Sequence, residues 1–237
     1  MKLKLSSIIF KIKTFFKVIL RPNGRTDFLS KIPYNSYILD VGCGNNSPFY
    51  VKSLLPNSYY VGIDICDYNL GSDSKKILNE YILSDPNDFV KNLKNIDKKF
   101  DAVISCHNLE HCNDRSGTLN QMIEKLNSNG KIYLSFPSKE SMYFPKREGT
   151  LNYYDDPTHL DSPPDFEKII KIFKDKGLKI IFSKRNYKPL VLNFIGIFTN
   201  LISFFTKRVH LGLWERWGFE SIIIAEKPNY KFKTLDY

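Results

Sequence analysis

The stretch Asp40-Val-Gly-Cys-Gly44 constrains the fold more than any other part of this chain. It follows an apolar run, Tyr37-Ile-Leu, and ends it with two glycines, the pattern of a buried strand entering a turn. Glycine there permits positive φ and a close approach of backbone to a ligand. The residues beyond Gly44 keep the same rhythm. "PFYVKSLL" reads as a helix, "SYYVGIDI" as a second strand and "EYILSD" as a third. "FVKNLKNI" is helical and "KFDAVISC" is a fourth strand. "RSGTLNQMIEKLNSNG" is a helix with Gly130 as its C-terminal cap, and "KIYLSFP" is a fifth strand. Alternation of this kind through residue 137 predicts an α/β fold with a doubly wound, mostly parallel sheet. Such sheets bind ligands at the carboxyl ends of their strands.

Residues 138–162 have no clear period and form a long connection, the kind that usually carries function. "PDFEKIIKIFKDKG" then resumes as an amphipathic helix stopped by Gly177, and "LKIIFSKRNY" is a sixth strand. An unusually apolar helix over 189–206 precedes a last strand, "FESIIIAEKP". At 237 residues the chain suits one α/β domain over 31–227, an N-terminal helix or lid over 1–30 and a tail over 228–237. Its charge of +10 favours an anionic partner. Cys43, Cys66, Cys106 and Cys112 lack the framework of a small secreted scaffold, which points to a reducing cytoplasm. No apolar run is long enough to predict a spanning helix. In residues 1–20 the lysines Lys11, Lys13 and Lys17 interrupt the apolar pattern, so a signal peptide is not expected. Leu5, Ile8, Ile12, Phe15 and Ile19 share one helical face. The expectation is that this helix and 189–206 cover apolar surface on the domain or across a homodimer, with peripheral contact at an inner membrane face as the alternative.

Two acids stand at the next strand ends. Asp64 lies 20 residues beyond Gly44, where a carboxylate can accept hydrogen bonds from both hydroxyls of a ribose. Asp85 ends the third strand, placed to reach an adenine edge. The third glycine of a nicotinamide-binding turn is missing, since Asn45, Asn46 and Ser47 follow Gly44. The motifs "LDVGCG", "YYVGID", "LSDPNDF", "FDAVISCHNLEH" and "LNSNGKIYLSFP" together resemble the class I S-adenosylmethionine-dependent methyltransferases, with a weaker likeness to the branch called type 11. The resemblance covers 36–137 and implies a seven-stranded sheet with the last strand antiparallel. It implies that Asp40, Gly42, Cys43 and Gly44 form the methionine-side pocket and that Asp64, with Ile65, holds the ribose. It also implies that Asp85 and Pro86 face the adenine, and that Ser105, Cys106 and His107 flank the methyl group.

"His107-Asn-Leu-Glu110-His111" is literally the H-x-x-E-H pattern of one class of zinc proteases. It follows a strand at the working edge of an α/β sheet, which excludes the protease reading. A metal site stays open. On a helix His107 and His111 would share a face, with Glu110 beside them. His159, in the long loop, is a fourth candidate. The arrangement resembles metal-dependent O-methyltransferases that carry E-x-x-E-H after the fourth strand, with His107 in place of the first glutamate. That ligand set favours Mn, Zn or Fe over Mg. Without metal, His111 would be a general base or a structural partner, flanked by His107 and His159. Substrate contacts are expected from Tyr143, Tyr153, Tyr154, Asp156 and Arg147, with Lys139, Lys146 and Arg147 able to meet a phosphate. No appended RNA-binding module is seen, and the motif of base-amine methylation is missing, so a small-molecule acceptor leads over nucleic acid. Relatives of this size often modify precursors of bacterial surface polysaccharide, such as capsule. The resemblance thus implies O-methylation of a small phosphorylated or nucleotide-linked sugar or phosphoramidate. An RNA 2′-O-methyltransferase and a non-catalytic cofactor-fold subunit are the alternatives.

Overall fold

The computed structural model describes residues 12–44, 46–66 and 77–229. The expectations for residues 1–11, and for most of the C-terminal tail, lie outside the described residues. One seven-stranded sheet organises the chain. Its strands are β1 (Tyr37–Val41), β2 (Tyr59–Asp64), β3 (Glu80–Leu83), β4 (Phe100–Cys106), β5 (Leu126–Pro137), β6 (Lys179–Lys184) and β7 (Glu220–Glu226). The spatial order is β3-β2-β1-β4-β5-β7-β6. β7 runs antiparallel to both β5 and β6, and the pairs among β1 to β5 are parallel. This is the α/β, Rossmann-like architecture that the alternating sequence predicts, with the last strand reversed.

Helices cover both faces. On one side α1 (12–20), α2 (Arg25–Ser30) and α3 (Ser47–Leu54) precede or follow β1. Phe28 and Leu29 of α2 pack with Ile38, Tyr60 and Tyr133. α2 therefore belongs to the core. On the other side α4 (Phe89–Lys94), α5 (Arg115–Glu124) and α6 (Phe166–Asp175) pack over Leu39, Val61, Val103 and Ile132. The pleat of β1 sets this division, because successive side chains point to opposite faces. Each buried Leu, Ile or Phe contributes about 1.5–3 kcal/mol relative to exposure.

Three expectations change. α5 stops at Glu124 with Lys125 as its cap, and Gly130 lies inside β5. The chain enters β5 at Leu126, and its backbone turns through Asn129 at φ 63°, next to a register shift between β4 and β5. The apolar segment forms α7 (Leu190–Thr206), but it leaves most of its apolar side chains exposed: only Leu192, Gly196 and Ser203 of this helix are buried. It docks through Gly196 onto a short helix, α8 (Leu213–Trp217), where an added Cβ would overlap Gly212 O and Arg216. Ile12, Phe15, Phe16 and Ile19 of α1 are exposed as well.

Candidate active site

The Gly42 turn opens a cleft at the carboxyl edge of β1 and β2. Gly42 adopts φ 74° and donates its N–H to Ile63 O at 2.9 Å, so the turn is tied to β2. A Cβ here would overlap the Asn108 side chain, whereas Gly44 faces open space. Asp64 accepts from Gly44 N and from its own neighbour Ile65 N, both at 2.7 Å. A carboxylate has about four acceptor directions, so two remain for hydroxyl donors. Gly42, Gly44, Asp64, Ile65, Asn108 and His111 line a cavity of about 410 Å³. It adjoins a slot of about 200 Å³ walled by Ile65, Pro86, Phe89 and Val90 and sharing Asn108 and His111. An open glycine backbone, a carboxylate with acceptor directions to spare and a slot walled by Ile65, Pro86, Phe89 and Val90 are compatible in chemistry with an adenosyl group.

Some expected cofactor residues stand behind this surface. Asp40 points to the α2–α3 side, 2% exposed, where its carboxylate accepts from Tyr60 Oη at 2.7 Å, from Ser47 and from Arg25. Cys43 is buried, and burial followed by the charges of Asp40 and Asp64 raises its thiol pKa. Ser105 is fully buried and donates to Val41 O at 2.9 Å, tying β4 to β1. Asp85 is exposed, its carboxylate accepting from Asn87 N at 2.9 Å; Pro86 and Asn87, not Asp85, line the slot. Asp40, Cys43 and Ser105 shape the turn from within.

His107 departs most from expectation. Its backbone takes φ 50°, and a 3₁₀ turn over Leu109–His111 follows instead of a helix. His107 and His111 therefore do not share a face. His107 lines the cofactor cleft and also a second cavity, about 360 Å³, together with Arg21, Arg25, Cys106, Trp214 and Glu220. Its Nδ1 lies 3.2 Å from Glu110 Oε1 and its Nε2 3.2 Å from Glu220 Oε1. Burial disfavours the charge, but the hydrogen bonds to Glu110 and Glu220 overcome it and lift the pKa to about 10. Both nitrogens then donate, and neither is free to accept a proton or bind a metal. His107 is a fixed cation.

Glu220 is the answering anion. Burial pushes its pKa up, yet Arg21 and His107 hold it at about 2. Arg21 also pairs with Glu215. Arg25 reaches Asp40 and Ser47, while its Nε is buried without a hydrogen-bond partner. Sequence reading missed Arg21, Arg25, Trp214 and Glu220. The signal for Glu220 was its place as first residue of an antiparallel last strand, paired with Pro137 at the working edge.

Glu110, His111 and His159 do converge, with one potential ligand atom from each within 4.8 Å of the others. The long loop delivers His159 to this point because Leu160 N donates to Glu110 O at 3.0 Å. His111 Nδ1 lies 3.2 Å from Thr158 O and 3.0 Å from Thr158 Oγ1, whose own proton goes to Asp156 Oδ1 at 2.6 Å. His159 Nδ1 lies 2.6 Å from Tyr153 O. A carbonyl only accepts, so each Nδ1 donates, and the tautomer that this selects carries its lone pair on Nε2. Glu110 Oε2 is buried with no hydrogen-bond partner. An orphaned carboxylate oxygen beside two tethered imidazoles fits a divalent cation.

The loop residues divide. Tyr143 is exposed and Tyr154 half exposed, whereas Tyr153 is fully buried, donating to Leu160 O at 2.6 Å and stacking on His159 at 4.4 Å. Arg147 Nε donates to Ser203 Oγ at 3.1 Å, which fastens the loop to α7. Asp156 positions Thr158 and through it His111. Tyr153 and Arg147 thus hold the site together rather than face a substrate, and Lys139 lies apart in another cavity beside Arg185.

A sequence family described as a methyltransferase domain matches residues 18–190. An uncharacterised protein of Methanocaldococcus jannaschii is 34% identical over 118 residues, 46% of this chain, and the match spans only 30% of that longer protein. Among solved structures, a chain of the complex between the Haloferax volcanii Trm112 methyltransferase activator and a putative methyltransferase is similar. It has a TM-score of 0.57, 14% identity, and coverage of 91% of this chain and 94% of that one. An S-adenosylmethionine-dependent methyltransferase from Mesorhizobium loti gives 0.54, at 14% identity over 82% and 93% of the two chains. One from Aquifex aeolicus gives 0.52, at 10% identity over 89% and 92%. At these identities the structures establish the fold, and the family match establishes the family. With the cleft that its sheet builds, the chain belongs to the methyltransferase-domain family and has the class I, S-adenosylmethionine-dependent methyltransferase fold.

Proposed function

We propose that the protein methylates a hydroxyl of a small anionic acceptor, a phosphorylated or nucleotide-linked sugar or phosphoramidate, with help from a divalent metal. The Glu110–His111–His159 cluster carries this reading. Bound S-adenosylmethionine supplies an activated methyl group on a sulfonium. Asp64 would hold its ribose and the slot at Pro86 its adenine. A metal held by Glu110, His111 and His159 would lower the acceptor's pKa and orient it. The chain's own work is positioning and proton removal. His111 borders both halves of the cofactor cleft, and its Nε2 lone pair suits a base toward a hydroxyl. Asp156 and Thr158 keep that ring in the correct tautomer. Arg25, with a buried unpartnered Nε, offers a donor to an anionic group in the second cavity. His107, 3.2 Å from Glu110 Oε1, keeps that carboxylate aimed.

The test combines metal analysis with kinetics on a panel of sugar phosphates and nucleotide sugars. The purified protein should hold a divalent ion, lose activity to a chelator and regain it with Mn. His111→Ala and His159→Ala should each lower metal content and cut turnover by about 100-fold or more, with S-adenosylmethionine affinity changed by less than about threefold. Full activity of His111→Ala, with no metal bound to the parent protein, would refute the proposal.

A further inference from the structure

Two segments of this molecule expose apolar helices, and the same two segments hold its excess charge. α7 presents Leu190 at 85% exposure, Phe198 at 62%, Leu201 at 64% and Phe205 at 74%. α1 presents Phe15 at 62% and Phe16 at 56%. Exposed apolar helix faces of this kind mark an interaction site.

The charge identifies the partner. Residues 1–26 carry seven Lys and Arg and no Asp or Glu, and so do residues 176–214. Together they hold 14 of the chain's 35 basic residues and none of its 25 acids, which leaves 21 against 25 for the remainder. The net charge of +10 is therefore +14 on these segments and −4 elsewhere. Arg185 and Arg208 pair with the exposed acids Glu167 and Glu148. Lys13, Lys17, Lys188 and Lys207 form no ion pair among the described residues. A second copy of the chain would bring like charge against like. A polyanion without apolar depth would leave the phenylalanines in water. An anionic bilayer surface satisfies both features.

We infer that α7 and α1 dock in plane on an anionic lipid surface, with the phenylalanines and leucines seated at the acyl boundary and the flanking lysines among the phosphates. α7 carries no charge from Leu190 to Thr206, with Lys188 before it and Lys207 and Arg208 after it. Cations at both ends suit a helix lying in the interface, where each contributes about 1 kcal/mol. No helix of the described residues is long and apolar enough to cross a membrane. Both helices connect to the second cavity through neighbouring residues that line it, Arg21 after α1 and Trp214 of α8 beneath α7. Arg21, next to α1, pairs with Glu215 of α8 and with Glu220, and α7 packs on α8 through Gly196. Docking therefore brings the rim of that cavity to the headgroups.

Co-sedimentation of the full chain with unilamellar vesicles tests this. Vesicles of phosphatidylcholine with phosphatidylglycerol should retain the protein at least about tenfold better than phosphatidylcholine alone, as two or more lysine contacts require. Phe198→Ser with Leu201→Ser and Phe205→Ser should lower retention by about tenfold or more. Calorimetric binding of S-adenosylmethionine should persist, which shows that the variant is folded and keeps the test separate from the catalytic reading. Lys188→Glu with Lys207→Glu should lower retention on the anionic vesicles alone. The inference fails if the parent chain stays in the supernatant or if the apolar variant binds as well as the parent. It fails equally if sedimentation velocity shows a dimer that the apolar variant breaks while vesicles retain neither protein.

Discussion

His107 sits between Glu110 and Glu220 with a hydrogen bond on each ring nitrogen, and its folded pKa of about 10 stands above the ordinary histidine value of 6.5. Because the folded value is the higher, the stabilisation is complete below 6.5 and is lost as pH rises through about 10. His107→Gln keeps polarity but carries no charge. The gap in urea midpoint between parent and variant should be widest near the lower of those values and close toward the upper one. A gap that stays constant with pH would show that packing against Trp214 and Phe219, not charge, is the role of the ring. The sequence pattern put His107 on one face with His111, because spacing was read as helix. A single left-handed backbone at 107 separates them. Nothing in residue order announces that φ, whereas Glu110, His111 and His159 remained legible through their chemistry.

Among elements, all seven strands were legible, because β-branched and aromatic runs between turn residues are a local signal. The short helices α2 and α8 were not. Each is set by contacts with distant residues, such as Phe28 against Tyr133 and Gly212 against Gly196. The orientation of α7 was also hidden, since an all-apolar helix has no polar face to say which side is buried. The structure makes its seam specific. Gly196→Val should overpack the contact with Gly212 O and Arg216 and cost about 2 kcal/mol. For a chain of this length that lowers Tm by about 4–8 °C in thermal unfolding followed by circular dichroism. Ile197→Val, one residue along and half exposed, should shift it by less than about 3 °C.

For the whole molecule, cofactor binding and stability are linked, because the cleft spans the ends of β1, β2 and β4 and the loop that carries His159. S-adenosylmethionine at about 100 times its Kd should add about 2.7 kcal/mol and raise Tm by about 5–10 °C. Asp64→Ala should weaken the affinity about tenfold or more and remove about half of that shift at the same concentration. An unchanged shift would mean that the ribose is held elsewhere. The reversed last strand has a consequence of its own. In a parallel strand the chain reaches the working edge as it leaves the sheet, but β7 begins there, at Glu220 opposite Pro137. Whatever is inserted between β6 and β7 is delivered to the rim of the second cavity, without disturbing the five parallel strands. Residues 185–219 thus form an exchangeable cassette, where a lineage can trade one surface for another while the methyl-donor cleft stays as it is.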